Sequence, residues 1–153
     1  MSKLELKIIP PLVTAIFALL MWSVTKITPE YAIFGQYKTT LAIIILSLGI
    51  FIMLVAAAFI LKAKTTINPM RPDKSSSLVT SGLYKFSRNP IYLADFIILI
   101  AFGVYLSNIF SFIIMIGFIF YMNKFQVKPE ERFLEEKFGT DYLTFKAQVR
   151  RWI

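Results

Sequence analysis

The chain has 153 residues, 57% of them hydrophobic and only 17% charged, against about 25% charged in soluble domains, so a bilayer is its natural solvent. Its formal charge of +8 lies mainly between and after the apolar blocks, where membrane orientation is decided, and this argues against a nucleic-acid partner. Cysteine and histidine are both absent, which excludes disulfides, thiolate chemistry, Cys/His zinc sites, histidine-box iron sites and any nucleophile needing a histidine base, so no metal is expected.

Lys3 and Lys7 precede the first apolar run, as in a signal peptide, but the run passes Trp22 without an Ala-x-Ala cleavage site, and a retained helix is expected over residues 8 to about 27. Pro10 and Pro11 stand near its start, where missing amide donors are tolerated. A polar link to Lys38 carries Glu30, Gly35 and Tyr37. The second block, 39–61, has the length of a spanning helix, roughly 34 Å at 1.5 Å per residue, and is closed by Lys62 and Lys64.

Residues 65–90 differ in kind, with Asn68, Pro69, Pro72, three consecutive serines from Ser75 and Thr80-Ser81-Gly82, and read as an ordered loop outside the hydrocarbon. Two further apolar stretches, 91–106 and 109–125, are separated only by Ser107-Asn108 and predict a helical hairpin. The first is shorter than the roughly 20 residues a crossing needs, so it must tilt or penetrate incompletely. In the tail, Pro129 is expected to open a helix with Glu130 and Glu131 in its first turn, and Gly139 to stop it. A last helix from about Thr140 places Tyr142, Phe145, Val149 and Trp152 on one stripe, with Lys146, Arg150 and Arg151 off it, as suits a helix on the bundle or membrane surface.

The fold class this predicts is all-α: an integral membrane bundle of about four transmembrane helices with amphipathic C-terminal helices. A single membrane domain, 1–153, would comprise two N-terminal helices over 1–64 and a loop, hairpin and tail over 65–153. Basic residues crowd the 62–90 segment and the tail, whereas the 28–38 link has only Lys38, so a multi-pass topology with both termini and the middle loop in the cytoplasm is expected.

Three features then share the cytoplasmic face. The first joins the loop to the third helix, Gly82-Leu83-Tyr84-Lys85-Phe86-Ser87-Arg88-Asn89-Pro90-Ile91-Tyr92. Its plain reading is a helix start, with Asn89 as N-cap, Pro90 at N1 and a snorkelling Arg88. Arg88, Tyr92 and Asp95 nonetheless form a polar stripe on one helical face, and an acid inside an apolar helix is a functional candidate by default. Asp95 could equally be a structural partner of Arg88 or of another helix. The second feature is Glu130-Glu131, which in isolation reads as two solvated acids at a helix N-terminus. The third is Phe138-Gly139-Thr140-Asp141-Tyr142 with the ending Val149-Arg150-Arg151-Trp152-Ile153, alone a capped helix pair.

Their order and spacing change the reading. Gly-x-Tyr, Arg-x-Pro-x-Tyr, an apolar hairpin, Glu-Glu, Phe-Gly-x-x-Tyr and a terminal Val-x-Arg-Trp-Ile together resemble the isoprenylcysteine carboxyl methyltransferase and phospholipid methyltransferase superfamily of membrane enzymes. The resemblance covers roughly residues 65–153 and takes in Thr66-Ile67-Asn68-Pro69. It implies a compact helical membrane methyltransferase whose cofactor, S-adenosylmethionine, enters from the cytosol and whose methyl acceptor, a lipophilic or small molecule, arrives from the lipid bilayer. Carried over residue by residue, it implies a cofactor pocket of Gly82, Tyr84, Arg88, Asn89, Pro90, Tyr92, Glu130 and Glu131, with Arg88, Tyr92, Glu131 and Arg151 as the catalytic candidates. Three positions depart from the family pattern: Asn89 replaces a histidine, Leu83 a proline and Ala94 a glycine.

Methyl transfer from a sulfonium suits a chain without histidine or cysteine, because the leaving group is already activated and catalysis is mainly alignment. The competing expectation is a non-enzymatic small membrane protein, a transporter or assembly factor, using Asp95 as an ion-coupling carboxylate.

Overall fold

The computed structural model describes residues 5–29, 33–66 and 75–153. Among them every regular element is helical: α1 (Pro10–Val24), α2 (Lys38–Lys62), α3 (Pro90–Leu106), α4 (Ile109–Met122), α5 (Lys128–Phe138) and α6 (Thr140–Gln148). The motif residues 67–69 lie outside the described residues.

Among the described residues two helical rods are long and apolar enough to cross a membrane, Gly35–Lys62 and Ile109–Phe138, where about four were expected. The other two apolar helices fall short of the roughly 20 residues a crossing needs, α1 at 15 and α3 at 17. In α1 the shortening has a local cause. Its last carbonyls are taken by hydroxyls, Thr25 donating to Trp22 O and Thr28 to Val24 O, each at 2.7 Å, so the helix ends earlier than its apolar run.

The first core gathers Met21 of α1, Leu99 of α3 and Phe118 and Met122 of α4, all fully buried. Helix α2 packs on α3 through Ala42, Gly49 and Ala56, its only buried residues. Small side chains let the two backbones approach, as is usual between helices in lipid. A Cβ on Gly49 would stand 3.0 Å from Ile98 and 3.2 Å from Ile97. Phe51, Leu54 and Leu61 on the rest of α2 are more than half exposed, consistent with a lipid-facing surface.

The expected hairpin is present. Ser107 adopts the left-handed conformation (φ 51°), and the Asn108 side-chain Oδ1 caps α4 by accepting from the N–H groups of Phe110 and Ser111 at 2.9 and 3.3 Å.

The tail departs from expectation. Pro129 does not open a separate helix: α4 runs into α5 through a single wide π-helical turn, Asn123–Val127, closed by the Lys128 N–H on Asn123 O. Proline lacks an N–H and crowds the carbonyl four residues back, here that of Phe125, and the wide turn relieves that clash. The freed Phe125 carbonyl accepts instead from the Leu6 N–H at 3.0 Å, tying the N-terminal segment to the tail. Gly139 stops α5 as expected, with φ 52°. Helix α6 ends at Gln148 with Val149 extended, so Trp152 does not continue the helical stripe of Tyr142 and Phe145 but lies on a short strap folded back toward α3 and the π turn.

Candidate functional site

A cavity of about 220 Å³ opens where the start of α3, the first turn of α5, α6 and the loop segments around residues 65 and 77 meet. Of the residues that the sequence singled out, Tyr84, Arg88, Asn89, Pro90, Tyr92, Glu130 and Glu131 line it, together with Asp95. Gly82 and Arg151 do not; both act from behind the wall.

Gly82 begins a short 3-10 turn, Gly82–Lys85, with φ +61°, a conformation that only glycine adopts freely. Any Cβ there would overlap the ring of Phe59. The turn therefore seats directly on α2 and swings Tyr84, 8% exposed, into the cavity wall. Burial, with the charge of Glu130 adding, pushes the Tyr84 hydroxyl well above the usual tyrosine range, so it is a neutral phenol.

Glu131 is the electrostatic centre. Its Oε1 accepts from Arg88 Nη2 at 2.8 Å and from Arg151 Nε at 2.9 Å, while its Oε2 accepts from Arg151 Nη2 at 2.8 Å. The Arg88 and Glu131 side chains are only 8% and 9% exposed, which makes theirs a buried pair, whereas Arg151 is 31% exposed. The hydrogen bond to Glu131 and that carboxylate's charge raise Arg151 further above its ordinary range, so it stays cationic. The second charge on Glu131 is thus a clamp from the C-terminal strap.

Arg88 also donates from Nη1 to the Lys146 carbonyl at 3.0 Å, which leaves its buried Nε with no partner. Its sequence neighbour Asn89 does not cap α3 with its side chain, as the helix grammar had suggested. The Asn89 amide instead donates to Arg151 O at 3.0 Å, and the Arg88 N–H to Arg150 O at 3.0 Å. This stretch entering α3 thus holds the strap by backbone and side chain together, and Trp152 Nε1 anchors its end on Asn123 Oδ1 at 3.1 Å.

Glu130 faces Tyr92, whose hydroxyl donates to Glu130 Oε2 at 2.7 Å and accepts from Gln126 Nε2 at 3.2 Å. Among the described residues no cation pairs with Glu130. Sequence reading missed Gln126 and Asn123, and gave the cavity-lining Tyr142 and Phe145 only as a motif residue and a helical stripe. Gln126 is buried behind the wall, where it holds the Tyr92 hydroxyl; standing at the end of an apolar run, it carried no local sign of that role.

The model of the phospholipid methyltransferase family matches residues 37–141. The chain belongs to that family. Protein-S-isoprenylcysteine O-methyltransferase of Saccharomyces cerevisiae is 29% identical over 123 residues, covering 78% of this chain and 50% of the yeast protein. The chain thus spans about half the length of that relative. An uncharacterised protein of Haemophilus influenzae is 41% identical over 63 residues, 41% of this chain and the whole of that protein. No solved structure matches the chain significantly. The superfamily that the motifs resemble is therefore the one to which the comparisons lead, and it is a family of membrane methyltransferases. The family match begins with α2, earlier than the motif resemblance, and ends before Arg151. It does not favour the transporter or assembly-factor reading.

The chemistry of the wall fits the cofactor the family generally uses. S-adenosylmethionine carries a carboxylate, an ammonium, ribose hydroxyls and a positive sulfur; the cavity wall carries the Arg88 guanidinium, Glu130 with no cation beside it among the described residues, and the rings of Tyr84 and Tyr92. Among the described residues no group of acids is arranged to hold a metal.

Proposed function

We propose that the chain is an S-adenosylmethionine-dependent methyltransferase of the membrane, acting on a lipid-like or membrane-soluble acceptor. The observation that carries this reading is the meeting of Arg88 with Glu131: two motifs 43 residues apart, on either side of the apolar hairpin, share one cavity wall. The relationship to the yeast isoprenylcysteine methyltransferase supports the same reaction type.

When bound, the cofactor supplies a methyl group on an already cationic sulfur, so the protein's task is binding and alignment. Arg88 Nε receives the cofactor carboxylate while its Nη atoms stay fixed by Glu131 and Lys146 O. Glu130, the carboxylate with no cation of its own, takes the ammonium or ribose hydroxyls. Tyr92, held by Gln126 and Glu130, lines the wall beside the sulfur. Tyr84, Asn89 and Pro90 shape the rim, and Gly82 seats the turn that carries Tyr84. Glu131 acts by fixing the two arginines, and Arg151 closes the wall from the strap.

In this reading the chain is one multi-pass membrane domain. Helices α1 and α3 are too short to cross upright; α3 packs on α2 and α4, and α1 packs on α3 and α4. Both termini lie with the cavity mouth on the cytoplasmic side, as the basic loops suggest. The acceptor enters from the bilayer.

Isothermal titration of detergent-purified protein with S-adenosylmethionine, comparing wild type with Arg88→Ala and Glu131→Ala, tests the pocket. Binding by wild type and at least tenfold weaker binding by both variants is expected, and equal affinity in all three removes the assignment. Methyl-labelled cofactor incubated with native membrane extract then identifies the acceptor from whatever becomes labelled.

A further inference from the structure

Asp95 is 3% exposed, and its Oδ2 has no hydrogen-bond partner. It lies about two turns, roughly 10 Å, beyond Arg88 along α3. Pairing with Arg88, one of the roles its sequence position allowed, does not occur, because Arg88 is engaged by Glu131 and Lys146 O. Among the described residues the hydrogen-bonding neighbour of Asp95 is the Thr14 hydroxyl, which also donates to Pro10 O at 3.1 Å and so serves two acceptors with one hydrogen. An acid left short of partners inside an apolar helix is retained against a desolvation penalty, which a ligand bearing a donor would relieve.

The surroundings say which ligand. Asp95 lines the same cavity as the candidate cofactor residues, but its neighbours on that wall are Pro10 and Pro11 of α1 and Met53 of α2, the apolar helices, while the cation-binding and rim groups lie toward Arg88. The apolar helices α1 and α2 supply this part of the lining, as suits a molecule arriving from the bilayer. We propose that Asp95 reads the methyl acceptor: it accepts a hydrogen bond from an N–H or O–H of the reacting head, and thereby selects an amine or hydroxyl acceptor over a carboxylate.

A neutral amine or hydroxyl that donates its hydrogen to Asp95, an ammonium having first released one proton to water, keeps a lone pair on the same atom for the methyl carbon. As that bond forms the S–CH3 bond breaks with its electron pair left on sulfur, and the hydrogen-bonded proton passes to the Asp95 carboxylate. A carboxylate acceptor has no hydrogen to give and brings a second negative charge against a buried first one, an arrangement that disfavours it strongly. This inference rests on the methyltransferase reading for the word acceptor, but the preference itself is a property of the cavity and is measurable without the cofactor.

The test uses the whole chain in lipid nanodiscs at pH 7.5, with hexylamine and hexanoate as water-soluble probes of the two head classes and S-adenosylmethionine titrated separately. Wild type should prefer hexylamine over hexanoate. Asp95→Asn, whose amide donates to a carboxylate, should lower that preference by about tenfold or more, the range for a hydrogen bond to a charged group, while its cofactor affinity stays within about twofold of wild type. Asp95→Ser, smaller and uncharged, should lower the preference likewise, and unchanged thermal unfolding shows that a variant is folded. An unchanged preference in folded Asp95→Asn overturns the proposal. So does a loss of cofactor affinity equal to that of Arg88→Ala, which would assign Asp95 to the cofactor. Absence of cofactor binding by wild type would sink the methyltransferase reading, yet the probe preference would still decide whether Asp95 reads a donor head.

Discussion

Arg88 and Glu131 are joined at 2.8 Å with both side chains nearly withdrawn from water. Such a pair is poor evidence of net stabilisation, since desolvating two ions offsets most of their attraction, but removing one member leaves an uncompensated buried charge. Glu131→Ala strands Arg88 and Arg151 together, so it should lower unfolding stability by about 3–5 kcal/mol. Arg151→Ala removes a partner that is 31% exposed and should cost less, about 1–2 kcal/mol after allowing for solvent screening. Denaturant unfolding in detergent, followed by tryptophan fluorescence, gives both values. Equal losses would mean that the three groups do not share Glu131 as their centre.

The Asn89 amide holds the Arg151 carbonyl at 3.0 Å, a use of this side chain that its position before Pro90 did not suggest. Asn89→Asp keeps the size but replaces the donor by a carboxylate facing a carbonyl, and should weaken S-adenosylmethionine binding by about tenfold through release of the strap. Asn89→His, which restores the residue usual in the family pattern and retains a ring N–H, should bind within about threefold of wild type, well inside the span of one hydrogen bond. Titration calorimetry checks both, and tighter binding by the aspartate variant would show that the strap does not support the site.

At Gly82 two costs add. Gly82→Ala places a β-carbon in the left-handed region, about 1–2 kcal/mol, and drives it into the Phe59 ring, about 1–3 kcal/mol more. Gly82→Ala combined with Phe59→Ala removes the overlap but not the backbone strain, so it should regain less of the stability than the cavity left by the ring forfeits. Gly139→Ala separates strain from overlap: φ is +52° there too and the space is open, but with ψ −122° it lies outside the left-handed basin, so its loss is backbone strain alone and an upper bound for that at Gly82. Thermal unfolding of the four proteins orders them.

Much of this was legible because apolar run length and its breaks are one-dimensional signals. The bounds of α2 and α3 and the Ser107-Asn108 break fall within a residue or so of where the hydropathy changes. What escaped depends on partners chosen in space. Nothing local says that Arg88 turns to Glu131 rather than to Asp95, one face of the same helix, or that Asn89 spends its amide on a carbonyl 62 residues away. The π turn escaped because Pro129 reads equally as a helix start or as a clash that a continuous helix absorbs, and only the acceptance of the Leu6 N–H by Phe125 O shows how the latter is satisfied. Of the four apolar helices expected, two among the described residues are long enough to cross and two are shorter, α1 because it loses its last turn to threonine hydroxyls.

At the other end of the bundle, Asn108 uses its whole side chain. Its oxygen caps α4, and its amide donates to Thr28 Oγ1 at 2.8 Å and to Pro29 O at 3.3 Å, fastening the end of α1 to the hairpin. The residue is 2% exposed, so water cannot replace these partners. Asn108→Ala should therefore cost about 2–4 kcal/mol, a lost cap plus unsatisfied groups. Asn108→Asp keeps the cap but sets a carboxylate withdrawn from water against the Pro29 carbonyl, and should cost at least as much as alanine. Because the site lies at the opposite end of α3, cofactor affinity in the folded aspartate variant should stay within about twofold of wild type. Unfolding and calorimetric titration on the same preparations separate the two effects, and a parallel fall in affinity and stability would mean that the hairpin end and the cavity are one cooperative unit.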